Sequence, residues 1–461
     1  MIRPDTAERV LTAALQSGGD FAEIFLEDTE ENTVHMIDDK VENATHSHSH
    51  GAGIRVLTGT NCVYVYTGDT GETALLRAAA AAAAAVKGGD ILRPQPFVPR
   101  QYGRAPAVPA AGVDNPRRIA LLRAGYQAAR QASADISQVS ANIRDEDQRI
   151  LVCNSRGVFA EDRRTRALLA VSAVASGGGE VQTGQQSFGF GKGYEGFDGA
   201  DLAAVGRKAA DMALTMLRAP ECPAGQFPVV IGPGFGGVIF HEACGHSLEA
   251  TSVAKGNSEF CGKLGQKIAD ERVTAVDDGT IPGAWGSLGI DDEGTPTRKN
   301  VLIEHGVLKG YMIDLLGSIR MGMPVTGSSR RESYCYAPTS RMTNTYIAAG
   351  EDDDEEMLRT LGEGLYACSM GGGSVNPLTG EFNFSVNEGY WVRDGRILCP
   401  VRGATLIGKG SQVLQRIDRV GRGQTLSPGM CGSVSGSVPV NVGQPQIRVR
   451  ELTVGGKGEA L

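Results

Sequence analysis

The 461-residue chain has no apolar run approaching the ~18 residues of a membrane-spanning helix. Its longest simple stretch, Ala78 to Ala85, is short and follows Arg77. The first fifteen residues mix acids and bases in an amphipathic pattern with no secretory apolar core, so the expected location is the cytoplasm, with no membrane partner. Nine cysteines (62, 153, 222, 244, 261, 335, 368, 399 and 431) are odd in number, scattered, and contain no C-x-x-C. That argues against a disulfide framework and for reduced thiols buried as small hydrophobes. Basic residues are not in excess: 45 Lys+Arg against 53 Asp+Glu give a net charge of −8, which disfavours a nucleic-acid partner. No repeat of fixed period is visible. Hydrophobic residues at 41% and charged residues at 21% exclude a wholly disordered chain. Glycine is plentiful, at 63 residues, about twice the usual ~7%. Without a collagen period, such an excess points to many tight turns and close backbone approaches.

The pattern along the chain predicts an α+β protein of two domains. Residues 1–222 read as an N-terminal α/β-mixed domain, and residues 223–461 as a mostly antiparallel-β domain. Pro4 opens a helix carrying Val10, Leu11, Ala14 and Leu15, ended by Gly18-Gly19. AEIFLED, TVHMIDD, GIRVL and CVYVYT read as a small sheet, and Glu72 to Val86 as a helix. The stretch 91–116, with six prolines, is too proline-rich for regular structure and reads as a surface strap. Pro116 opens another helix, and Val139 to Ala175 is β with an acidic turn at Asp145-Glu146-Asp147. Gly177 to Gly196 reads as a long connection, and 200–218 as a helix. Beyond the boundary, FPVVI (227–231) is a buried strand, GPGFGG a turn, and Val238 to Ala250 a helix. A second helix is expected near Asp352 to Leu365, and a hairpin with His305-Gly306 at its turn.

One motif carries chemistry. His241-Glu242-Ala243-Cys244-Gly245-His246 is an H-E-x-x-x-H on the predicted helix. Imidazoles ligate zinc, and a Glu beside the first ligand can serve as general base. A spacing of five residues misses alignment by roughly 140° on a regular α-helix. A one-residue π-bulge would bring the two rings together, and Gly245, lacking a Cβ, would ease that distortion. Cys431, set among glycines in SPGMCGSVSGSVPVNVGQP, is the candidate third ligand, against the plainer reading of a buried inert thiol. His46, His48 and His50 in THSHSH share one face of a strand and could grip a metal; a solvated strand face is the plainer reading. Gly232, Gly234 and Gly237 match G-x-G-x-x-G, yet no apolar strand follows the helix, so a tight turn is favoured over a dinucleotide site. Asp291-Asp292-Glu293 reads as an exposed turn. Glu351 to Glu356 reads as an acidic complement to a helix N-terminus.

At HEACGHSLEA the sequence resembles the TldD/TldE (PmbA) family of metallopeptidases, in its motif-bearing TldD-like branch. The likeness continues through VTAVDDGTIP, GIDDEGTPT, RRESYCYAPTSRMTNTYI, GGGSVNPLTGEFNFSVNEGY, PVRGATLIGKG and MCGSVSGSVPVNVGQP, and near the N-terminus through GGDFAEIF and GIRVLTG. The resemblance implies zinc held by His241, His246 and Cys431, with Glu242 as catalytic base. It also implies a dimer enclosing a chamber, either a homodimer or a pair with a TldE-like partner, acting on small unfolded or unstructured peptides. Tyr334, Tyr336 and Arg341 in the RRESYCYAPTSRMTNT block are candidate substrate contacts, as are Gly372 and Gly373 in GGGSVNP. Two other readings use the same residues: a Cys-dependent hydrolase with Cys431 as nucleophile, and a non-catalytic peptide-binding protein with a structural metal.

Overall fold

The computed structural model describes every residue except 87, 104, 377, 378 and 460. It is a mixed α and β fold. Helix α1 (Pro4–Ala14) buries Val10, Leu11 and Ala14. A meander of β1 (Phe21–Ile37), β2 (Lys40–Thr58) and β3 (Asn61–Thr67) leads to α2 (Glu72–Ala85). AEIFLED and the first five residues of TVHMIDD lie in the single strand β1, and Asp38 and Asp39 form the turn to β2. Within the proline-rich segment, β4 (Val98–Gln101) is an edge strand, where the missing N–H of Pro99 is tolerated. Helix α3 (Asn115–Arg130) is capped by the Asp114 side chain, which accepts from Arg117 N. Then follow β5 (Ile136–Asn154), β6 (Val158–Gly177), β7 (Glu180–Phe190) and α4 (Leu202–Arg218). The sheet order is β3-β2-β1-β5-β6-β4, with β7 paired to β6. Helices α1 and α2 pack over β1 and β2, while α3 and α4 pack over β5 and β6.

Two expectations fail here for one reason each. Asp145, Glu146 and Asp147 form no turn but lie mid-strand in β5, opposite Ala167, Arg166 and Thr165 of β6. Arginines neutralise them: Arg118 Nε donates to Asp145 at 2.8 Å, Arg166 Nη1 to Glu146 at 2.6 Å and Arg163 Nε to Asp147 at 2.9 Å. The stretch 177–196 is not a loose connection, since 180–190 is strand β7 beneath α4. Its glycine serves packing: a Cβ on Gly184 would stand 2.1 Å from the Ala209 carbonyl of α4.

Two larger sheets follow, besides the two-stranded pair of Ser329–Arg330 and Thr339–Ser340. A six-stranded sheet orders Val307–Leu308, Lys299–Glu304, Ala275–Asp278, Asn344–Ile347, Gly436–Gln444 and Thr425–Ser433. Its first two strands form the hairpin at His305-Gly306, both with positive φ (47° and 78°). The other sheet runs Gly364–Val375, Gly225–Ile231, Ile447–Gly455, Thr405–Lys409, Glu381–Arg393 and Arg396–Val401. Its first and fifth strands also pair, so five strands close on themselves. The helix expected over 352–365 is shorter, Asp354–Arg359, because Gly362 turns the chain with φ 75° and a strand starts at Gly364. Asp353 accepts from the backbone of Glu355 and Glu356, the capping role the acidic run suggested.

Candidate metal centre

Strand Gly225–Ile231 delivers the chain into a 3-10 turn, Gly234–Gly237, and then into the H-E-x-x-x-H segment. The single helix expected over 238–250 is replaced by three short pieces. Val238–Phe240 is α, His241–Gly245 is π, and His246–Leu248 is 3-10. The π turn is explicit in its hydrogen bond, from His246 N–H to the His241 carbonyl. The extra residue turns both imidazoles to one side, while Phe240, Ala243 and Cys244 on the other side enter the core. Gly245 is required for space rather than for φ, because a Cβ there would meet Met342 Sδ at 2.3 Å.

Cys431 arrives from the strand Thr425–Ser433, opposite Val438 of its hairpin partner. Its Sγ lies 3.2 Å from His241 Nε2 and 3.2 Å from His246 Nε2. The two rings stand nearly perpendicular, with centroids 5.2 Å apart. Glu242 stands beside them, Oε2 3.7 Å from His246 Nε2, with its side chain 30% exposed. Burial alone would raise the Cys431 thiol, yet the neighbouring His241 and His246 hold it well below the ordinary range. Burial opposes charge on His246, and Glu249 with Cys431 outweighs it and holds this imidazole well above its usual value. A thiolate facing two imidazole nitrogens is a donor set that suits zinc, whose binding displaces their protons. Cys244 differs: burial pushes its thiol well up, and it lies in the apolar core.

Two further residues act on this centre: Glu249, which was not singled out from sequence, and Arg341, which was expected in another role. Glu249 breaks the helical run with ψ 135°, which folds its carboxylate back so that Oε2 lies 3.2 Å from His246 Nδ1. Such a carboxylate fixes the tautomer and ring plane of a ligating histidine. The i+3 spacing from His246 was the signal available. Arg341 was expected to touch substrate, but it is fully buried. It donates to the Cys431 carbonyl, and at 2.9 Å to that of Gly436, so it holds the hairpin that carries Cys431 instead. Tyr334 packs its ring against Gly51, and Tyr64 Oη donates to its carbonyl at 2.7 Å. Tyr336 is 36% exposed. Gly372 and Gly373 lie in the strand Gly364–Val375, and the GGGSVNP segment ends at Pro377, outside the described residues. No hydrogen bond among the described residues joins these four to His241, Glu242, His246 or Cys431. With the ring plane set by Glu249, Glu249→Gln is expected to weaken zinc binding by about 10–100-fold with the fold intact, measured by chelator competition.

Sequence models of PmbA/TldA metallopeptidase domain 1, central domain and C-terminal domain match residues 22–86, 109–217 and 224–456. A metalloprotease TldD homologue of Haemophilus influenzae is 36% identical over 449 residues, covering 95% of this chain and 93% of that one. The chain belongs to the PmbA/TldD metallopeptidase family. A second member, the zinc metalloprotease TldD homologue of Saccharolobus solfataricus, is 33% identical over 262 residues, covering 56% and 58% of the two chains. Among solved structures, TldE from Thermococcus kodakarensis superposes with a TM-score of 0.78 at 20% identity, over 98% of this chain and 100% of that one. That likeness shows the PmbA/TldD fold.

Proposed function

We propose that this chain is a zinc peptidase that hydrolyses peptide bonds in small unfolded or unstructured peptides. The reading rests on one observation: three donor atoms from two distant segments converge on one point, with Glu242 at its edge. His241 Nε2, His246 Nε2 and Cys431 Sγ would hold the ion, leaving a fourth position for substrate or water. A bound zinc ion supplies Lewis acidity, polarising a carbonyl and acidifying water. Glu242 takes the proton of the attacking water on its carboxylate and delivers it to the leaving amine. Glu249 keeps the His246 ring in place through the cycle, and Arg341 keeps the Cys431 strand from shifting. We place the reaction in the chamber of a dimer, made with a second copy or with a TldE-like partner, in the cytoplasm. No helix among the described residues is long and apolar enough to cross a membrane.

Metal content of purified protein tests the reading. About one zinc per chain at this centre, lost in Cys431→Ala and in His246→Ala, is expected. Hydrolysis that survives complete removal of metal but stops on thiol alkylation would instead favour Cys431 as a nucleophile. Wild type that takes up no zinc at this centre would overturn the proposal.

A further inference from the structure

The second histidine cluster lies on the long β1–β2 ribbon. His48 and His50, two residues apart on β2, present their rings to one face, and Asp28 of β1 is the cross-strand partner of His50. We propose that Asp28, His48 and His50 form a second divalent-metal site, of two imidazoles and one carboxylate, open to solvent and suited to zinc or cobalt. The inference does not depend on the peptidase reading.

Geometry carries it. One ligand atom from each residue lies within 4.8 Å of the other two. Asp28 Oδ1 stands 2.6 Å from His48 Nε2 and 3.8 Å from His50 Nδ1. Tetrahedral bonds of about 2.0–2.1 Å put ligand atoms roughly 3.3 Å apart, so the first gap opens and the second closes by about half an ångström or slightly more, while the third, between the two imidazoles, lies within 4.8 Å. The side chains are 51%, 38% and 39% exposed for His48, His50 and Asp28, which leaves them room to make that adjustment. His50 is already oriented for it: its other nitrogen, Nε2, meets Thr70 Oγ1 at 2.9 Å, leaving Nδ1 toward Asp28. This is the outer partner that ligating histidines use. The neighbouring His46 is engaged elsewhere, its Nδ1 3.0 Å from Asn32 Oδ1, so the THSHSH motif supplies two ligands and not three.

Zinc titration of tag-free protein against a chromophoric chelator tests the site. Wild type is expected to bind two equivalents per chain, and the double variant His48→Ala/His50→Ala one. Asp28→Asn, a nearly isosteric change on the same exposed face, should weaken the second equivalent by roughly 10-fold or more. Cobalt distinguishes the two centres, because only the one containing Cys431 gives a thiolate charge-transfer band. A wild type binding a single equivalent that Cys431→Ala removes would overturn this proposal and leave the peptidase reading standing. A single equivalent that survives Cys431→Ala but not His48→Ala/His50→Ala would do the reverse. Two equivalents retained in the double variant would also overturn it.

Discussion

Glu242→Gln is expected to lower kcat for peptide hydrolysis by about 10²–10⁴-fold while the protein keeps its zinc and its KM changes little. The change is nearly isosteric, so packing in the π turn is preserved. What it removes is the ability of this side chain to take a proton, since an amide oxygen accepts hydrogen bonds but is not a base at neutral pH. Position supports this division of labour. His241 and Cys431 are buried at 2% and 3% exposure, whereas the Glu242 side chain is 30% exposed at the edge of the centre. A ligand belongs in the first environment and a proton carrier that meets water in the second. Peptide hydrolysis within a few-fold of wild type would mean that Glu242 is not the base. Loss of zinc in Glu242→Gln would mean that this carboxylate holds the ion. Rate and metal content, measured on the same sample, separate the three outcomes.

The site was legible because its signal is local. H-E-x-x-x-H sits in six consecutive residues, and its awkward spacing itself implied the π turn that the His246 N–H to His241 carbonyl bond displays. Cys431 was one candidate against a buried inert thiol until the resemblance favoured it, because nothing in a Gly-rich strand 190 residues away marks a thiol as a ligand. The failures share a different physical cause. Asp145 to Asp147 and Asp291 to Glu293 look like solvated turns in sequence, since adjacent carboxylates repel and prefer water. In the structure Asp291, Asp292 and Glu293 are buried at 0%, 1% and 5% exposure, correcting the exposed turn expected there. Asp291 accepts from the backbone of Glu293, Thr295 and Ser329, while the other two meet arginines from other segments: Arg164 Nη1 lies 2.7 Å from Asp292 and Arg55 Nη2 lies 2.6 Å from Glu293. Neutralisation by arginines on other elements, 16 to 27 positions away for Asp145 to Asp147 and 128 and 238 away for Asp292 and Glu293, leaves no local trace. Glu249 shows the same limit on a smaller scale, because its role depends on the break in backbone direction at that residue.

That buried charge network joins the N-terminal sheet to the segments after residue 223, and cutting it should be costly. Arg331→Met is expected to destabilise the protein by about 3–5 kcal/mol, read as a large fall in the denaturation midpoint. The Arg331 side chain is fully buried, and its Nη2 donates to Glu23 at 2.6 Å and to the Asp292 carbonyl at 2.7 Å. Its Nη1 lies 3.1 Å from Tyr64 Oη, and its guanidinium carbon stands 4.2 Å from the Phe25 ring centre. Methionine can fill much of the space over Phe25, but it leaves Glu23 sharing the single Arg55 with Glu293. Two buried carboxylates on one guanidinium is the uncompensated charge that makes such truncations expensive. Burial already pushes Glu293 up to about 7, with Arg55 pulling against it and Asp314 and Glu23 adding to the rise. Removing Arg331 shifts that contest further toward a proton. A second measurement separates lost charge balance from a simple loss of packing. Adding Glu23→Gln to Arg331→Met restores the charge balance, leaving Arg55 with Glu293, and should recover part of the lost stability. If the double variant is less stable than Arg331→Met by the full cost of Glu23→Gln alone, the two residues are uncoupled, and the loss belongs to the contact with Phe25 rather than to charge.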